Sequence, residues 1–375
     1  MSLLKRSDDE SLYAQLVSVF RTRILNGTLL PGAQIPTEIE LASENNISRG
    51  TVRQAMAILV REGLLERVPG RGTFVRRLPV PNNSVERRTE NYRIGVLLSL
   101  RRSQLDMDIL SGIEYAAKAR GYQVSFAFTE ESAEEQTRDI NHLRADHVAG
   151  MIIFPLSDIT YDEAIWKLRD DGVPFVLIDR YFPDLQSDYV TSDNIGGGYR
   201  ATEHLIILGH TRIAFCHPSF GTPTTTSVRD RYLGYRQALE EYGIPYDESL
   251  IFQRDAEQKH LPYIEYLSQP DRPTAIFTSH DHEAAEVFRA AMQLGIRLPE
   301  ELAVVGFDNV EFSAFMNPPL TTIAQPSRDI GLRAVDLLIS RLEGSRSPIK
   351  HIELPTNLVV RESCGVKLRV RAVQK

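Results

Sequence analysis

Two arginines four residues apart, Arg49 and Arg53, stand in the segment SRGTVRQAM, residues 48–56. Residues with this spacing lie one turn apart on the same face of a helix. An arginine side chain can donate two hydrogen bonds to O6 and N7 of guanine, and a helix fits the major groove of B-DNA. Ser48 and Thr51, at the start of such a helix, can bond phosphate. Two arginines at this spacing are also typical of an ordinary solvated helix face. The segment therefore predicts a helix that contacts DNA only together with the elements that surround it.

The preceding sequence predicts two helices that would support this segment. Apolar residues recur at helical spacing through residues 11–27, which predicts the first helix. Thr37 and Glu40 match the capping box, in which each side chain satisfies the other residue's free amide, so a second helix should begin at Glu38. It should end near residues 45–46, where two asparagines favour a turn.

The third helix should begin after Ser48, which is a good N-cap. One face of this helix is apolar at i, i+3, i+4 and i+7 spacing. Its members are Val52, Ala55, Met56 and Leu59. If this face is buried, then Arg49, Arg53 and Gln54 must point outward.

A β-hairpin should follow the third helix, because residues 64–68 and 73–75 are short apolar runs on either side of the turn PGRG. Residues 76–91 combine prolines, asparagines and charges with little apolar periodicity, which is typical of a linker. We therefore predict three parts in the chain: a small winged helix-turn-helix domain over residues 1–77, a linker over 78–91 and a second domain over 92–375.

Charge is unevenly distributed along the chain. The whole sequence carries −7, yet residues 1–80 hold eleven Lys and Arg against eight Asp and Glu. Within this part, residues 49–77 hold seven Arg against two Glu. A cationic patch releases counterions when it binds DNA, so affinity for DNA should fall steeply as salt rises.

Beyond residue 92, apolar runs typical of strands alternate with helical patterns. The runs are RIGVLLSL, QVSFAFT, GMIIFPL, PFVLID, RIAFCHP, TAIFTS and ELAVVGFD. Continuous apolar runs favour parallel sheets covered on both faces. One sheet of this length would be unusual, so two βα series divided near Asp193 predict an α/β domain of two lobes. Open α/β sheets bind ligands at the carboxyl ends of their strands, which places a cleft there.

Charged residues follow two of these strands at the predicted cleft. Asp179 and Arg180 end the run VPFVLIDR, and Asp308 ends the run ELAVVGFD. Planar charged donors and acceptors of this kind suit ligands that are rich in hydroxyl groups. An Asp after a strand is also typical of a helix N-cap. The residues alone leave both roles open.

Two known families resemble these segments. The stretch from SLYAQLV to GRGTFV, including IPTE, resembles the winged helix-turn-helix head of the GntR family. Residues 92–365 resemble the periplasmic-binding-protein-like sensor of the LacI/GalR family, in VTSDNIGGGYRATEHLIILGHTRIAF, LGIRLPEELAVVGFDN and PPLTTIAQPSRDIG. A GntR-type head on a LacI-type sensor is the arrangement of arabinose-responsive repressors, which this chain therefore resembles.

The resemblance implies two sets of binding residues. The set that contacts DNA is Ser48, Arg49, Gly50, Thr51 and Arg53 of the third helix, with Gly70 and Arg71 of the wing. The set that contacts a small-molecule effector is Asp179, Arg180, Arg231, His280, Asp308 and Gln325.

Two features leave the effector open. His280 stands where the sensor family usually has Asn. Arg101, Arg102 and Gln104 stand where sugar binders often carry aromatic residues. A carbohydrate is the effector that the resemblance favours, and a nucleoside or sugar phosphate is the alternative.

Other classes of protein are disfavoured. The apolar runs are far shorter than the ~20 residues that cross a bilayer, and the first residues lack a signal peptide's apolar core, so we expect a cytoplasmic protein. His280, Asp281 and His282 are adjacent, which does not suit metal ligands. The sequence contains no GxSxG nucleophile motif. We expect no metal, cofactor or enzymatic activity, and two reduced, packed thiols at Cys216 and Cys364.

These features together predict a DNA-binding transcriptional regulator. We expect a homodimeric repressor whose operator affinity is controlled by an effector between the two lobes. An activator, or a repressor that needs its effector to bind DNA, is the alternative that the sequence leaves open.

Overall fold

The computed structural model describes residues 12–25, 29, 32–45, 47–61, 64–68, 71–75, 93–99, 104–129, 132–217, 223–253 and 262–368. The chain divides into two compact units, residues 1–87 and 88–375. The predicted linker lies outside the described residues, so the boundaries at residues 77 and 92 stay predictions. Within the described residues, no helix is both long and apolar enough to cross a bilayer.

The first unit is a winged helix-turn-helix. Its elements are α1 (Leu12–Leu25), β1 (Gln34–Ile35), α2 (Glu38–Asn45), α3 (Arg49–Arg61), β2 (Leu65–Val68) and β3 (Gly72–Val75). Strand β3 pairs antiparallel with both β2 and β1. The three predicted helices and the hairpin are confirmed. Strand β1 was not predicted because its two residues are too few to show an alternating pattern.

The apolar faces of α1 and α3 form the core of this unit. Leu16 and Phe20 from α1 pack in one cluster with Val52, Ala55 and Leu59 from α3, and each is at most 3% exposed. Burying an aliphatic or aromatic side chain contributes roughly 1.5–3 kcal/mol. This burial fixes the rotation of α3, and the opposite face, which carries the two arginines, is exposed as predicted.

The second unit is an α/β structure. Its strands are β4 (Arg93–Ser99), β5 (Gln123–Thr129), β6 (Gly150–Ile153), β7 (Phe175–Ile178), β8 (Asp188–Ser192), β9 (Ile213–His217), β10 (Ile251–Gln253), β11 (Ala275–Thr278), β12 (Ala303–Asp308), β13 (Thr321–Ala324), β14 (His351–Leu354) and β15 (Asn357–Val359). Its α-helices are α4 (Gln104–Ala119), α5 (Ala133–Ala145), α6 (Glu163–Asp170), α7 (Asn194–Ile207), α8 (Thr226–Glu241), α9 (Pro262–Leu267), α10 (Asp281–Leu294) and α11 (Ser327–Leu342). Every strand predicted from an apolar run is present.

The strands form two sheets, one in each lobe. The order is β14-β8-β7-β6-β4-β5 in lobe 1 and β10-β9-β11-β12-β13-β15 in lobe 2. The ladders between these described strands are parallel, except for the antiparallel pair of β13 and β15. The predicted two-lobed α/β fold with parallel sheets is confirmed.

The division of the chain between the lobes is less simple than predicted. The chain enters lobe 2 after β8, as expected, but α11 packs against lobe 1, where Ala334 and Leu338 share a core with Ile94 and Val96. Strand β14 then joins the lobe 1 sheet beside β8. A single division near Asp193 is therefore incomplete. Strand β14 escaped prediction because its residues alternate between exposed and half-buried, without an apolar run.

Helices α7 and α8 approach closely because glycines stand at their contact. A Cβ on Gly198 would collide with the carbonyl oxygen of Arg231, and a Cβ on Gly234 with that of Ile195. The approach brings the side chain of Arg231 within hydrogen-bond distance of Asn194 in the first turn of α7.

Candidate DNA-binding surface and effector cleft

The start of α3 is capped by its own sequence. Ser48 Oγ accepts a hydrogen bond from the Thr51 amide at 3.0 Å and lies 2.8 Å from Thr51 Oγ1. Thr37 and Glu40 likewise form the predicted capping box on α2, with Glu40 accepting from the Thr37 amide at 2.7 Å. These bonds hold the pKa of the Glu40 carboxyl below its ordinary value. The two helices therefore begin where the sequence predicted.

Arg53 is exposed on α3 and is held by Glu38 of α2. Its Nε donates to Glu38 Oε2 at 3.1 Å, and the other carboxylate oxygen accepts from Arg67 Nη2 of strand β2 at 3.1 Å. The Arg53 side chain is 62% exposed, whereas Glu38 is 26% exposed. One carboxylate thus links helix α3 to the wing strand β2.

The other predicted DNA contacts lie on the same unit. Arg49 and Gly50 are exposed on the first turn of α3, and open space surrounds the position of a Cβ on Gly50 apart from Ser48 Oγ at 3.5 Å. Arg71 is exposed at the start of the second wing strand, where its carbonyl oxygen accepts from Gln34 at 3.2 Å. Gly70 lies outside the described residues.

In lobe 1, Asp179 and Arg180 form a tight turn at the end of β7. Asp179 has φ of +63°, and the Arg180 amide donates to the Ile178 carbonyl at 2.7 Å, which closes a γ-turn around Asp179. An aspartate in this region of backbone space is strained, and such strain is concentrated at functional sites. The Arg180 guanidinium donates to Ser157 Oγ at 2.8 Å and to the Pro155 carbonyl at 3.1 Å.

In lobe 2, Arg231 is buried at the centre of a polar network. Its Nε donates to Asn194 Oδ1 at 2.9 Å, its Nη1 lies 3.6 Å from Asp308 Oδ1, and the guanidinium lies 3.7 Å from the centre of the Phe307 ring. Asp308 has φ of +109°, another strained backbone position. Asp308 does not cap a described helix, because the 3-10 helix that follows begins after Val310.

Gln325 connects this network to lobe 1. Its Nε2 donates to Asp308 Oδ1 at 2.7 Å, and its Oε1 accepts from Ser192 Oγ of β8 at 2.6 Å. Three of the six predicted effector residues, Arg231, Asp308 and Gln325, are therefore in direct contact. Asp179 and Arg180 form a separate group in lobe 1.

His280 has a structural role that its sequence position did not reveal. Its Nδ1 accepts from the Glu283 amide at 3.1 Å and caps α10. The neighbouring Asp281 is fully buried and accepts from Thr322 Oγ1 at 2.6 Å and from the Val310 amide at 3.0 Å. Burial, aided by the charge of Asp308, raises the pKa of Asp281 well above its ordinary value. Among the described residues, no cluster of His, Cys, Asp and Glu could hold a metal ion.

Hydrogen bonds also cross directly between the lobes. Thr225, the N-cap of α8, donates from Oγ1 to Asp158 Oδ1 at 3.1 Å. The Tyr181 amide donates to Thr226 Oγ1 at 3.0 Å, and the Tyr181 hydroxyl donates to Asp230 at 3.1 Å. The two lobes are thus held together at the start of α8.

Several polar residues of this region were missed from the sequence. Ser99, Thr129, His217 and Ser279 are at most 1% exposed, and their side-chain polar atoms have no hydrogen-bond partner among the described residues. A buried polar group without a partner costs roughly 1–3 kcal/mol. Each residue ends or directly follows an apolar strand, as Asp179 and Asp308 do. A search for polar residues at the carboxyl ends of the predicted strands could therefore have identified all four. By contrast, the buried thiols of Cys216 and Cys364 are free, as predicted.

Comparison with known proteins agrees with this arrangement. Residues 12–75 match the family described as bacterial regulatory proteins, gntR family, and residues 202–364 match the periplasmic binding protein-like domain. The chain is 30% identical over 361 residues to the arabinose metabolism transcriptional repressor of Geobacillus stearothermophilus, covering 94% of this chain and 97% of that protein. The chain belongs to the same family of transcriptional repressors as this relative.

Solved structures share the fold of the repressor. A complex of the transcriptional regulator CelR with cellobiose covers 88% of this chain and all of its own chain, with a TM-score of 0.65 and 27% identity. A LacI family regulator from Enterococcus faecium with bound ribose covers 72% of this chain and 98% of its own, with a TM-score of 0.61 and 26% identity. This repressor is therefore a DNA-binding regulator with a ligand-sensing unit, and the relatives that it matches are regulators.

Proposed function

We propose that this repressor binds its operator through α3 and the wing, and that a carbohydrate between the two lobes lowers operator affinity. The contacts of Gln325 with Ser192 of lobe 1 and Asp308 of lobe 2 carry the proposal. A ligand that competes for these polar groups changes the energy of one lobe arrangement relative to another. Ligands act on such an equilibrium only through their differential affinity for its two states.

On the DNA side, each predicted residue has a distinct proposed role. Arg49 and Arg53 contact base edges in the major groove, Ser48 and Thr51 contact phosphate, and Gly50 allows close approach of the backbone. Gly70 and Arg71 contact the minor groove. The head spans residues 1–77, and residues 78–91 tether it to the sensor.

On the effector side, Asp179, Arg180, Arg231, Asp308 and Gln325 surround the ligand. His280 fixes α10 and takes part through the geometry of that helix. Relatives and structural neighbours are named for arabinose and ribose or contain cellobiose and ribose. These names support a sugar for this chain.

We also propose that the repressor acts as a homodimer in the cytoplasm, where its DNA lies. Two-fold proteins bind two-fold operators with half-sites a whole number of helical turns apart. An apolar patch on lobe 2 supports this assembly: Met292 of α10 is 75% exposed and Phe315 is 80% exposed. Met292 lines a groove together with Phe288, Ile296 and Met316, and Phe315 precedes Met316 in the chain. A second copy of the chain would cover this patch.

The proposed function is tested by selecting operator DNA from a random pool with the full-length protein. Fluorescence anisotropy then compares operator affinity with and without arabinose, ribose and cellobiose. A weaker affinity with at least one sugar supports the proposal, whereas a pool that yields no enriched sequence would overturn it.

A further inference from the structure

His217 is a buried imidazole whose surroundings leave it unsatisfied. It ends β9, it is 0% exposed, and neither ring nitrogen has a hydrogen-bond partner among the described residues. Nearly all buried polar groups in folded proteins have a partner, so a histidine with two orphaned nitrogens needs an explanation. At the end of a parallel strand, the explanation to test first is a ligand.

The position of His217 at the end of β9 connects it to the polar network around Arg231. The amide of Ser279 donates to the Cys216 carbonyl at 2.8 Å, which places the ends of β9 and β11 side by side. The Ser279 carbonyl in turn accepts a hydrogen bond from Arg231 Nη1 at 2.5 Å. Ser279 Oγ is itself buried without a partner among the described residues. Thr278 pairs with Cys216 in the sheet, so the next residues along, Ser279 and His217, come side by side at the ends of these strands.

Lobe 1 also bears on the imidazole. Burial lowers the pKa of His217 to about 4, and the charge of Asp158 in lobe 1 opposes this shift. Asp158 lies within electrostatic range of the ring while it accepts from Thr225 of lobe 2. His217 thus ends a strand of lobe 2 and experiences a charge from lobe 1.

We propose that His217 is a specificity-determining residue of the effector cleft, where its imidazole binds a hydroxyl group of an uncharged, polyhydroxylated ligand. An uncharged imidazole has one donor and one acceptor nitrogen, and a hydroxyl group can satisfy either. Ser279 offers a second hydroxyl-compatible contact. The inference rests on the proposed function and refines it by naming the charge of the ligand.

Charge pairing in the cleft favours an uncharged ligand over a sugar phosphate. Arg231 already pairs with Asp308, and Arg180 lies 3.6 Å from Asp179. The N-cap of α8, which could otherwise attract an anion, donates to the carboxylate of Asp158. To bind at Arg231, at Arg180 or at the N-cap of α8, a phosphate would have to displace the carboxylate that is already there.

The test uses full-length protein and isothermal titration calorimetry with arabinose, ribose, cellobiose and ribose 5-phosphate. For the sugar that binds the wild type, His217→Gln should retain affinity within about threefold, because an amide also donates and accepts. His217→Phe should weaken binding at least about tenfold, the typical effect of losing a buried hydrogen bond. Without ligand, His217→Phe should melt no lower than wild type, because it removes an unsatisfied group.

A matched control is His204→Phe on α7, whose Nε2 is likewise buried without a partner among the described residues. This variant should bind the sugar as wild type does. Wild-type affinity in His217→Phe, or tighter binding of ribose 5-phosphate than of ribose, would overturn the inference and leave the repressor role intact. If no sugar binds the wild type or changes its operator affinity, the proposed function fails, and this inference with it. If His217→Phe does not fold, loss of binding in His217→Gln would also overturn it.

Discussion

Arg53 Nε donates a hydrogen bond to Glu38 Oε2 at 3.1 Å, on the exposed face of α3. The same carboxylate binds Arg67 of the wing. An exposed arginine has several rotamers of similar energy, and ordering one of them costs entropy. Glu38 therefore restricts the rotamers of Arg53 and offsets part of the positive charge on this face of α3.

Arg53→Ala should weaken specific operator binding by roughly 1–3 kcal/mol, because a bidentate contact with guanine is lost. Binding to unrelated DNA should weaken much less. The check is anisotropy with operator and with scrambled DNA at one salt concentration, with Arg297→Ala on the sensor surface as a charge-matched control. Equal losses on both DNAs would mean that Arg53 contacts phosphate alone.

Glu38→Gln should reduce the ratio of specific to non-specific affinity. Removing the carboxylate frees both arginines, so attraction to any phosphate backbone increases while the orientation of Arg53 is lost. Stability should change by less than about 1 kcal/mol, since exposed ion pairs contribute little. Urea unfolding and the two dissociation constants measure both effects. An unchanged affinity ratio would show that Glu38 does not orient Arg53.

Gly50→Ala separates folding from DNA contact. The site is a helix position with open space around a Cβ, so alanine should stabilise the head by roughly 0.5–1 kcal/mol. Operator binding should nevertheless weaken if the backbone of Gly50 approaches DNA closely. A more stable variant with unchanged operator affinity would remove Gly50 from the interface.

The elements of the head could be predicted almost completely, because the start and the buried face of each helix depend on residues within that helix or next to it. The capping residues Thr37 and Ser48 fix where α2 and α3 begin, and the period of the apolar residues fixes which face is buried. The partner of Arg53 could not be predicted, because Glu38 is fifteen residues away and the pair depends on how α2 packs against α3.

The cleft was less predictable, because its contacts join residues of the two lobes that are far apart in the sequence. Strand ends indicated Asp179 and Asp308, but the link from Gln325 to Ser192 joins residues that are 133 positions apart. The cap formed by His280 could not be predicted from the sequence, because histidine is not among the residues preferred at an N-cap. The orphaned nitrogens of His217 are visible only once burial is known.

The buried imidazole of His217 should contribute a loss of stability as pH decreases from about 6.5 towards 4. Burial lowers the pKa of His217 to about 4, whereas an unfolded histidine titrates near ~6.5. In this window the unfolded chain binds a proton that the folded chain does not, so unfolding becomes easier by up to roughly 3 kcal/mol. The raised pKa of Asp281 acts in the opposite direction.

The comparison of wild type with His217→Gln isolates the histidine, because both proteins retain Asp281. Urea unfolding at pH 7.5 and pH 5 gives the change in stability on acidification, which should be more favourable in the variant than in the wild type. The same change in both proteins would mean that the His217 imidazole becomes protonated in the folded chain as readily as in water.

The most direct test of the whole account is the operator affinity of the full-length protein with and without a sugar that calorimetry has shown to bind. We predict that saturating sugar weakens operator binding about 5- to 150-fold, the usual range of coupling between two sites. Asp308→Asn should keep operator binding and lose most of this response, because Asp308 joins Arg231 to Gln325. An operator affinity that does not change when a bound sugar saturates the sensor would contradict the account.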